Sequence, residues 1–311
     1  MAFRCGTLSS RPMSSESQFI DLLRALATHP AARELADDCA VLNVGTETLI
    51  LTHDMMVEGI HWLPTQDPAD VAWKLVATNL SDLAAKGAEP LGVLLGYSLG
   101  KNDTRFVHGL REVLDAYAVP LLGGDTVGGG AVQAHGLTAL GRATHRPVPS
   151  RAGATIGDGV WVTGAVGAAM LGFDSVREGL GDSANRRAFC RPVPLLVEGR
   201  ALAPLVTAMM DVSDGLLLDA SRLAAASNVT LALERAMIPL AEGVIEADRA
   251  DEALRWGDDY QLLFTLPVGT TPPIPATRIG EIREPGTLPL LLDGTAPDPT
   301  RSLGYLHRSL P

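Results

Sequence analysis

Basic residues are scarce in this chain. Of its 311 residues, 25 are Lys or Arg and 36 are Asp or Glu, a formal net charge of −11. Broad binding to nucleic acid or to an anionic membrane needs a basic face, so both are set aside as partners. An acidic protein still takes phosphates when metal ions stand between the two. Cysteine is scarcer: Cys5, Cys39 and Cys190 are too few and too widely spaced for a disulfide framework or a zinc cluster, and a reducing cytoplasm is the expected location. No run of about 18 apolar residues suggests a membrane span. The opening MAFRCGTLSSRPM has no signal-peptide core. Residues 1–15 are expected to be a disordered extension, with Met13 a second candidate start.

Familiar nucleotide and catalytic motifs are missing too. There is no G-x-x-x-x-G-K-[ST] loop and no G-x-G-x-x-G after a first strand. There is no H-E-x-x-H and no kinase H-R-D set. A nucleotide bound here would be held by metals on carboxylates and by glycine-rich backbone.

What is present is 46% hydrophobic residues and 32 glycines, in a chain long enough for two domains. Apolar periodicity predicts a helix over 17–28, strands over 39–44 and 48–56, and a helix from the Asp67-Pro68 start to about Lys86. A strand over 91–98, a helix over 104–117, a strand over 119–122 ending in Gly-Gly-Asp and a strand over 133–143 follow. The Pro- and Gly-rich stretch THRPVPSRAGATIGDG (144–159) reads as the domain boundary, giving domains at 16–148 and 149–311. Beyond it, strands are expected at 160–163, up to Asp211, and near 229–233, 260–266, 277–282 and 288–292. Helices are expected near 165–173, over 184–204 and from Gly215. Strands and helices mix in both halves.

Several acids stand where solvent is not expected. Asp82 shares a helical stripe with Val71, Leu75 and Thr78, and a carboxylate there is costly unless paired or metal-bound. Asp54 ends an apolar strand-like run, and alone it reads as an ordinary strand end. Its neighbour His53 points to the opposite face. Asp125 follows Leu121-Leu122-Gly123-Gly124, a site of close backbone approach or a plain turn. Asp37 and Asp38 precede a strand and are expected to face opposite ways, with a solvated turn as the alternative. Asp211 and Asp214 flank Ser213 before a helix. Capping explains one of these residues and not Asp211. Asp258 and Asp259 precede another strand. Acids recurring at strand ends suit hard divalent cations, which need several oxygen ligands from separate elements.

DDCAVL, THDMMVEGIHW, NLSDLAAKGAEPLG, LLGGDT, DVSDGLLLD and GDDYQLLF occur in this order. In that order the chain resembles the thiamine-monophosphate kinases, a family grouped with aminoimidazole-ribonucleotide synthetase and selenophosphate synthetase, over roughly 19–305. The resemblance implies an α+β (mixed α/β) fold in two domains. The N-terminal mixed sheet would serve ATP and metal binding and dimerisation, and a C-terminal α/β domain would complete the site. It implies ATP-dependent phosphorylation of thiamine monophosphate to thiamine diphosphate with several Mg²⁺ ions, in a homodimer. By position it implies metal ligation by Asp38, Thr52, the backbone at His53, Asp54, Asp82, Asp125, Asp211 and Asp214. ATP would meet Gly124, Asp125, Arg142 and Ser213, with Arg142 stabilising transfer and no covalent intermediate. The thiamine phosphate would meet His61, Asp258 and Tyr305. Ala36, His53, Trp256 and Asp258 depart from the family's usual Gly, hydroxyl residue, Gly and Glu. The rival readings are a relative with another acceptor, a metal-dependent phosphohydrolase, and a non-catalytic binding protein.

Overall fold

Asp67 and Pro68 open the helix around which the rest packs. In a computed structural model, which describes residues 16–307, α2 runs Pro68–Ala85. The Asp67 carboxylate caps it, accepting from Ala69 N at 2.9 Å. Of its 18 residues, 15 are buried, which happens only when a helix is covered on every side. Lys86 ends it, and Gly87 (φ +59) turns the chain away. A Cβ on Gly87 would stand 2.4 Å from that of Ala203, so only glycine fits.

One cover of α2 is a five-stranded sheet in the order β1-β2-β5-β3-β4. Its strands are β1 (Ala40–Val44), β2 (Glu47–Val57), β3 (Ala88–Ser98), β4 (Leu121–Val127) and β5 (Ala134–Ala143). All pairs are antiparallel except β3 with β4. Register fixes the faces. Thr52 lies opposite Ala139 and Asp54 opposite Leu137, on the side carrying α2 and α3 (Asp103–Tyr117). His53 opposite Thr138 and Met55 opposite Gly136 point to the other side, which no helix among the described residues covers. On that open face Val44, Met55 and Leu94 are about half exposed.

The second cover is a six-stranded sheet, β11-β8-β10-β6-β9-β7, antiparallel except β8 with β11. It is built from β6 (Gly159–Val162), β7 (Ala208–Asp211), β8 (Thr230–Leu233), β9 (Leu262–Leu266), β10 (Thr277–Arg283) and β11 (Leu290–Leu292). Its strands β7, β8 and β9 are buried at every residue, as strands covered on both sides are. Met209, Leu262, Phe264 and Leu266 join the core around α2. Ala208, Met210 and Leu263 join a second core under α7 (Leu216–Ser227). The remaining helices are α1 (Glu16–Arg24), α4 (Ala168–Arg177), α5 (Ala184–Cys190), α6 (Leu196–Leu202) and α8 (Ala250–Trp256). This is the mixed α/β, two-domain architecture expected. No helix among the described residues is long and apolar enough to cross a membrane.

Some elements differ from the sequence reading. The helix expected over 184–204 is two helices, because Pro192 and Pro194 lack the donors that a continuous helix needs. β4 does not stop at Gly-Gly-Asp but runs through it. A Cβ on Gly124 would meet the Leu95 carbonyl oxygen at 1.9 Å, so the glycine admits the neighbouring strand rather than a turn. β3 starts before Pro90, with a register shift between Pro90 and Gly92 that accommodates the missing N–H. Helix α8 has no counterpart among the expected elements. The extension 1–15 lies outside the described residues.

Candidate active site

α2 carries Asp82 to the seam between the two sheets, and β7 ends there in Asp211. Asp38 arrives from the loop before β1. One carboxylate oxygen from each of the three lies within 4.8 Å of the others. The Thr52 hydroxyl of β2 donates to Asp82 Oδ2, and Ser81 Oγ donates to Asp211 Oδ2 at 2.6 Å. Asp211 Oδ1 is buried and has no hydrogen-bond partner among the described residues. Asp54 joins from the α2 face of β2. Its backbone N–H donates to Asn79 Oδ1 at 3.1 Å.

The electrostatics divide this cluster. Burial, then Asp38 and Asp214, push Asp54 up to about 6. Burial, then Asp38, push Asp211 up to about 8 against the opposing Ser81 hydrogen bond. Burial, then Asp54, Asp211 and Asp38, push Asp82 well above the carboxylate range. Asp38 goes the other way: burial would raise it, but Arg151 and Lys86 outweigh burial and hold it low. Asp37 is held low in the same way by Lys86 and Arg33. The expectation that Asp37 and Asp38 face opposite ways fails. Both precede the pleat of β1, and both turn inward to Lys86 Nζ, at 2.5 and 2.9 Å. The solvated-turn alternative fails as well, since both side chains are buried.

A second group of residues gathers beside this seam. The 211–215 loop is clasped by the 257–261 loop. Asp258 N donates to Ser213 O, Tyr260 N to Val212 O, and Val212 N to Gln261 O, each at 2.8 Å. Asp219, buried in α7, accepts from the N–H groups of Ser213 (3.1 Å) and Asp214 (3.0 Å) and fixes the turn. Asp214 Oδ2 accepts from Arg222 Nη1 at 2.5 Å. Asp258 and Asp259 split their duties. Asp259 caps α4 through Gly167 N, while Asp258 accepts from Tyr260 OH (2.8 Å) and from Lys74 Nζ (2.7 Å). Lys74 is 1% exposed, lies 3.9 Å from the Phe189 ring centroid and reaches His61 O at 3.4 Å. The His61 ring lies 5.4 Å from that of His307, which lies 5.0 Å from Tyr305. Tyr305 N donates to Asp214 O at 2.8 Å. His61, Asp258 and Tyr305 thus stand in one corner, linked through Lys74, His307 and Asp214.

The four residues matched to ATP contacts do not gather in one chain. Ser213 is on the clasped loop. Asp125 lies opposite Gly96, and Arg142 opposite Leu49, both on the open face of the first sheet with the His53 side chain. Gly124 falls in the row of Leu95 and Leu137, on the α2 face. Arg142 lies near Glu47 (3.2 Å) and Glu89 (3.6 Å). The site residues that the sequence reading does not reach are Lys74, Lys86, Arg151, Asp219 and His307.

An all-oxygen donor set with an unpartnered buried carboxylate oxygen suits a hard divalent cation, and charged acids this close need one. Comparison with known proteins points the same way. Residues 36–143 match the N-terminal domain of the AIR synthase related proteins, and residues 155–267 match their C-terminal domain. Thiamine-monophosphate kinase of Escherichia coli strain K12 is 36% identical over 251 residues, covering 75% of this chain and 76% of that protein. The thiamine-monophosphate kinase of Caulobacter vibrioides is 32% identical over 329 residues, covering 96% and 92%. A solved structure described as AaThiL complexed with AMPPCP and TMP shares the fold at TM-score 0.85 and 27% identity, covering 94% of this chain and 97% of that one. In fold, in extent and in the order of its motifs, the chain belongs to the thiamine-monophosphate kinase family of AIR synthase related proteins.

Proposed function

We infer that this chain phosphorylates thiamine monophosphate to thiamine diphosphate with ATP and Mg²⁺. The observation that carries this reading is the meeting of Asp38, Asp82 and Asp211 at the seam of the two sheets, beside the corner of His61, Asp258 and Tyr305. The acceptor is a phosphate monoester with a second pKa of about 6, so it is mostly dianionic at neutral pH and needs no general base. That fits a site without a Ser–His or Cys–His pair. Mg²⁺ ions, when bound, supply the charge neutralisation that lets two polyanions approach. Asp54, Asp82, Asp211 and Asp214 would hold them, with Thr52 orienting Asp82 and Ser81 orienting Asp211. Ser213 would meet ATP from the clasped loop. Transfer is direct and in line, and a labelled phospho-enzyme after mixing with ATP would refute that step.

Product chromatography tests the whole reading. Thiamine diphosphate should form only when ATP, Mg²⁺ and thiamine monophosphate are all present, and EDTA should abolish it. Phosphate release without thiamine diphosphate would make the site a hydrolase.

The corner residues give a sharper test. Lys74 is a positioning residue for Asp258, and truncating one partner of a buried ion pair leaves the other unsatisfied. Lys74→Met should raise the KM for thiamine monophosphate by about tenfold, equivalent to roughly 1.4 kcal/mol. The KM for ATP should stay within about twofold. Equal changes in both constants would show a general loss of structure instead.

The chain works as a homodimer through the open face of the first sheet. Val44, Met55 and Leu94 give that face an apolar surface, and such a patch marks an interaction site. Asp125 and Arg142 share it, so a second copy would bear on the ATP contacts. Sedimentation of the purified chain at the mass of one copy would overturn the dimer.

A further inference from the structure

The acid cluster has two unlike ends. At one end both oxygens of Asp38 are already engaged: Arg151 Nη2 donates to Oδ1, and Lys86 Nζ donates to Oδ2 at 2.9 Å. Lys86 also holds Asp37 Oδ1 and reaches Met209 O at 3.5 Å, with its side chain fully buried. It follows α2 directly, and the cation complements the partial negative charge at that helix end. Arg151 comes from the segment between the sheets, which Arg33 ties down through Val148 O and Pro149 O. At the other end Asp211 Oδ1 is buried and unpartnered. Asp82 has a single hydroxyl donor, and neither Asp54 nor Asp82 has a cation among its ion pairs in the described residues.

A fixed ammonium and a divalent ion compete for the same carboxylate lone pairs and repel each other. We propose that Lys86, with Arg151, is a resident countercation that occupies Asp38. The first divalent ion then enters at the Asp54–Asp82–Asp211 end, and Asp38 becomes a ligand only by releasing Lys86. Lys86 sets the order and number of ions loaded. It is a positioning residue and touches no reacting atom. The inference rests on the cluster taking divalent ions, as the kinase reading requires, but it holds for any phosphate acceptor.

The test uses the full chain without nucleotide and Mn²⁺ as the probe, with bound ion read by electron paramagnetic resonance and by titration calorimetry. Asp211→Asn should weaken the first ion at least tenfold, and Asp38→Asn by no more than about threefold, because Asp38 is held by its own cations. Lys86→Met should bind Mn²⁺ about tenfold tighter or gain a second ion, and its thermal midpoint should rise more on adding metal than that of wild type. Lys86→Arg keeps the charge and should behave as wild type. Asp38→Asn weakening the first ion as much as Asp211→Asn would overturn the proposal. So would wild-type affinity and stoichiometry in a folded Lys86→Met. If Lys86→Met does not fold without metal, the Asp38 and Asp211 comparison still decides. Wild type binding no Mn²⁺ at millimolar concentration would overturn this proposal and the metal part of the kinase reading together. Failure to phosphorylate thiamine monophosphate with these Mn²⁺ results intact would overturn only the kinase reading.

Discussion

Asp211→Asn should melt about 5 °C higher than wild type in EDTA, yet phosphorylate thiamine monophosphate at least about 10² times more slowly. The two effects share one cause. Asp211 sits 1% exposed at the end of β7 with Oδ1 unpartnered, and burial together with Asp38 pushes its proton affinity up to about 8. In the metal-free protein that carboxyl is a liability near neutral pH, since the unfolded chain ionises it freely at about 4. An amide of the same shape removes the ionisation problem and still accepts from Ser81. The same replacement removes an anionic ligand from the three-acid cluster, and with it the charge that would hold a cation. A destabilising group kept at a site is the usual trade of stability for function. Melting curves with and without EDTA, and kcat/KM for both substrates, measure both sides. A variant that melts lower in EDTA, or one that keeps more than a tenth of the activity, would remove Asp211 from the role given to it.

The local features of this site are legible in the sequence because their signals are local. Asp67-Pro68 announces the start of α2, and the apolar stripe through Val71, Leu75 and Thr78 marks Asp82 as displaced from solvent. The meeting of Asp82 with Asp211 has no local signal. It depends on α2 lying between two sheets. One clue to that arrangement does stand in the residues: past its first turn α2 carries only two charged side chains, Lys74 and Asp82, too few for a solvated face, so a lysine within it or closing it is drawn inward. On that ground Lys74 and Lys86 are partners for buried acids. Strand alternation holds for His53. It also governs Asp125, whose row partner Gly96 puts it on the open face. Alternation does not govern Asp37 and Asp38, where no strand has yet begun. Composition reads the proline- and glycine-rich segment 144–159 as a domain boundary and gives no sign of its part in the site. Its Arg151 is one of the cations that hold Asp38, and Val148 is buried in the core around α2.

The pH dependence of stability should reverse the pattern common for proteins rich in paired carboxylates. In EDTA the melting temperature should fall as pH rises from 5 to 8.5, by about 10 °C. The sign follows from where protons are held. Asp54 at about 6, Asp211 at about 8 and Asp82 well above its ordinary value keep protons in the folded state that the unfolded chain has already released. The folded state therefore binds more protons through this window, and stability declines with pH. Asp37 and Asp38 act oppositely, being held low by Lys86, Arg33 and Arg151. Their contribution is complete above the ordinary carboxylate value and is lost only below it, so it does not offset the decline. Lys86 is raised by Asp38 and Asp37 against its burial, so its contribution is lost only in strong alkali. Millimolar Mg²⁺ should cut the decline by more than half, because a bound cation favours the ionised acids and its affinity rises as their protons leave. Melting temperatures across this range, with EDTA and with Mg²⁺, decide the matter. A flat or rising curve in EDTA would mean that the acids at the seam are ionised in the metal-free protein. The cation ties on Asp37 and Asp38 would then govern the whole cluster, rather than one end of it.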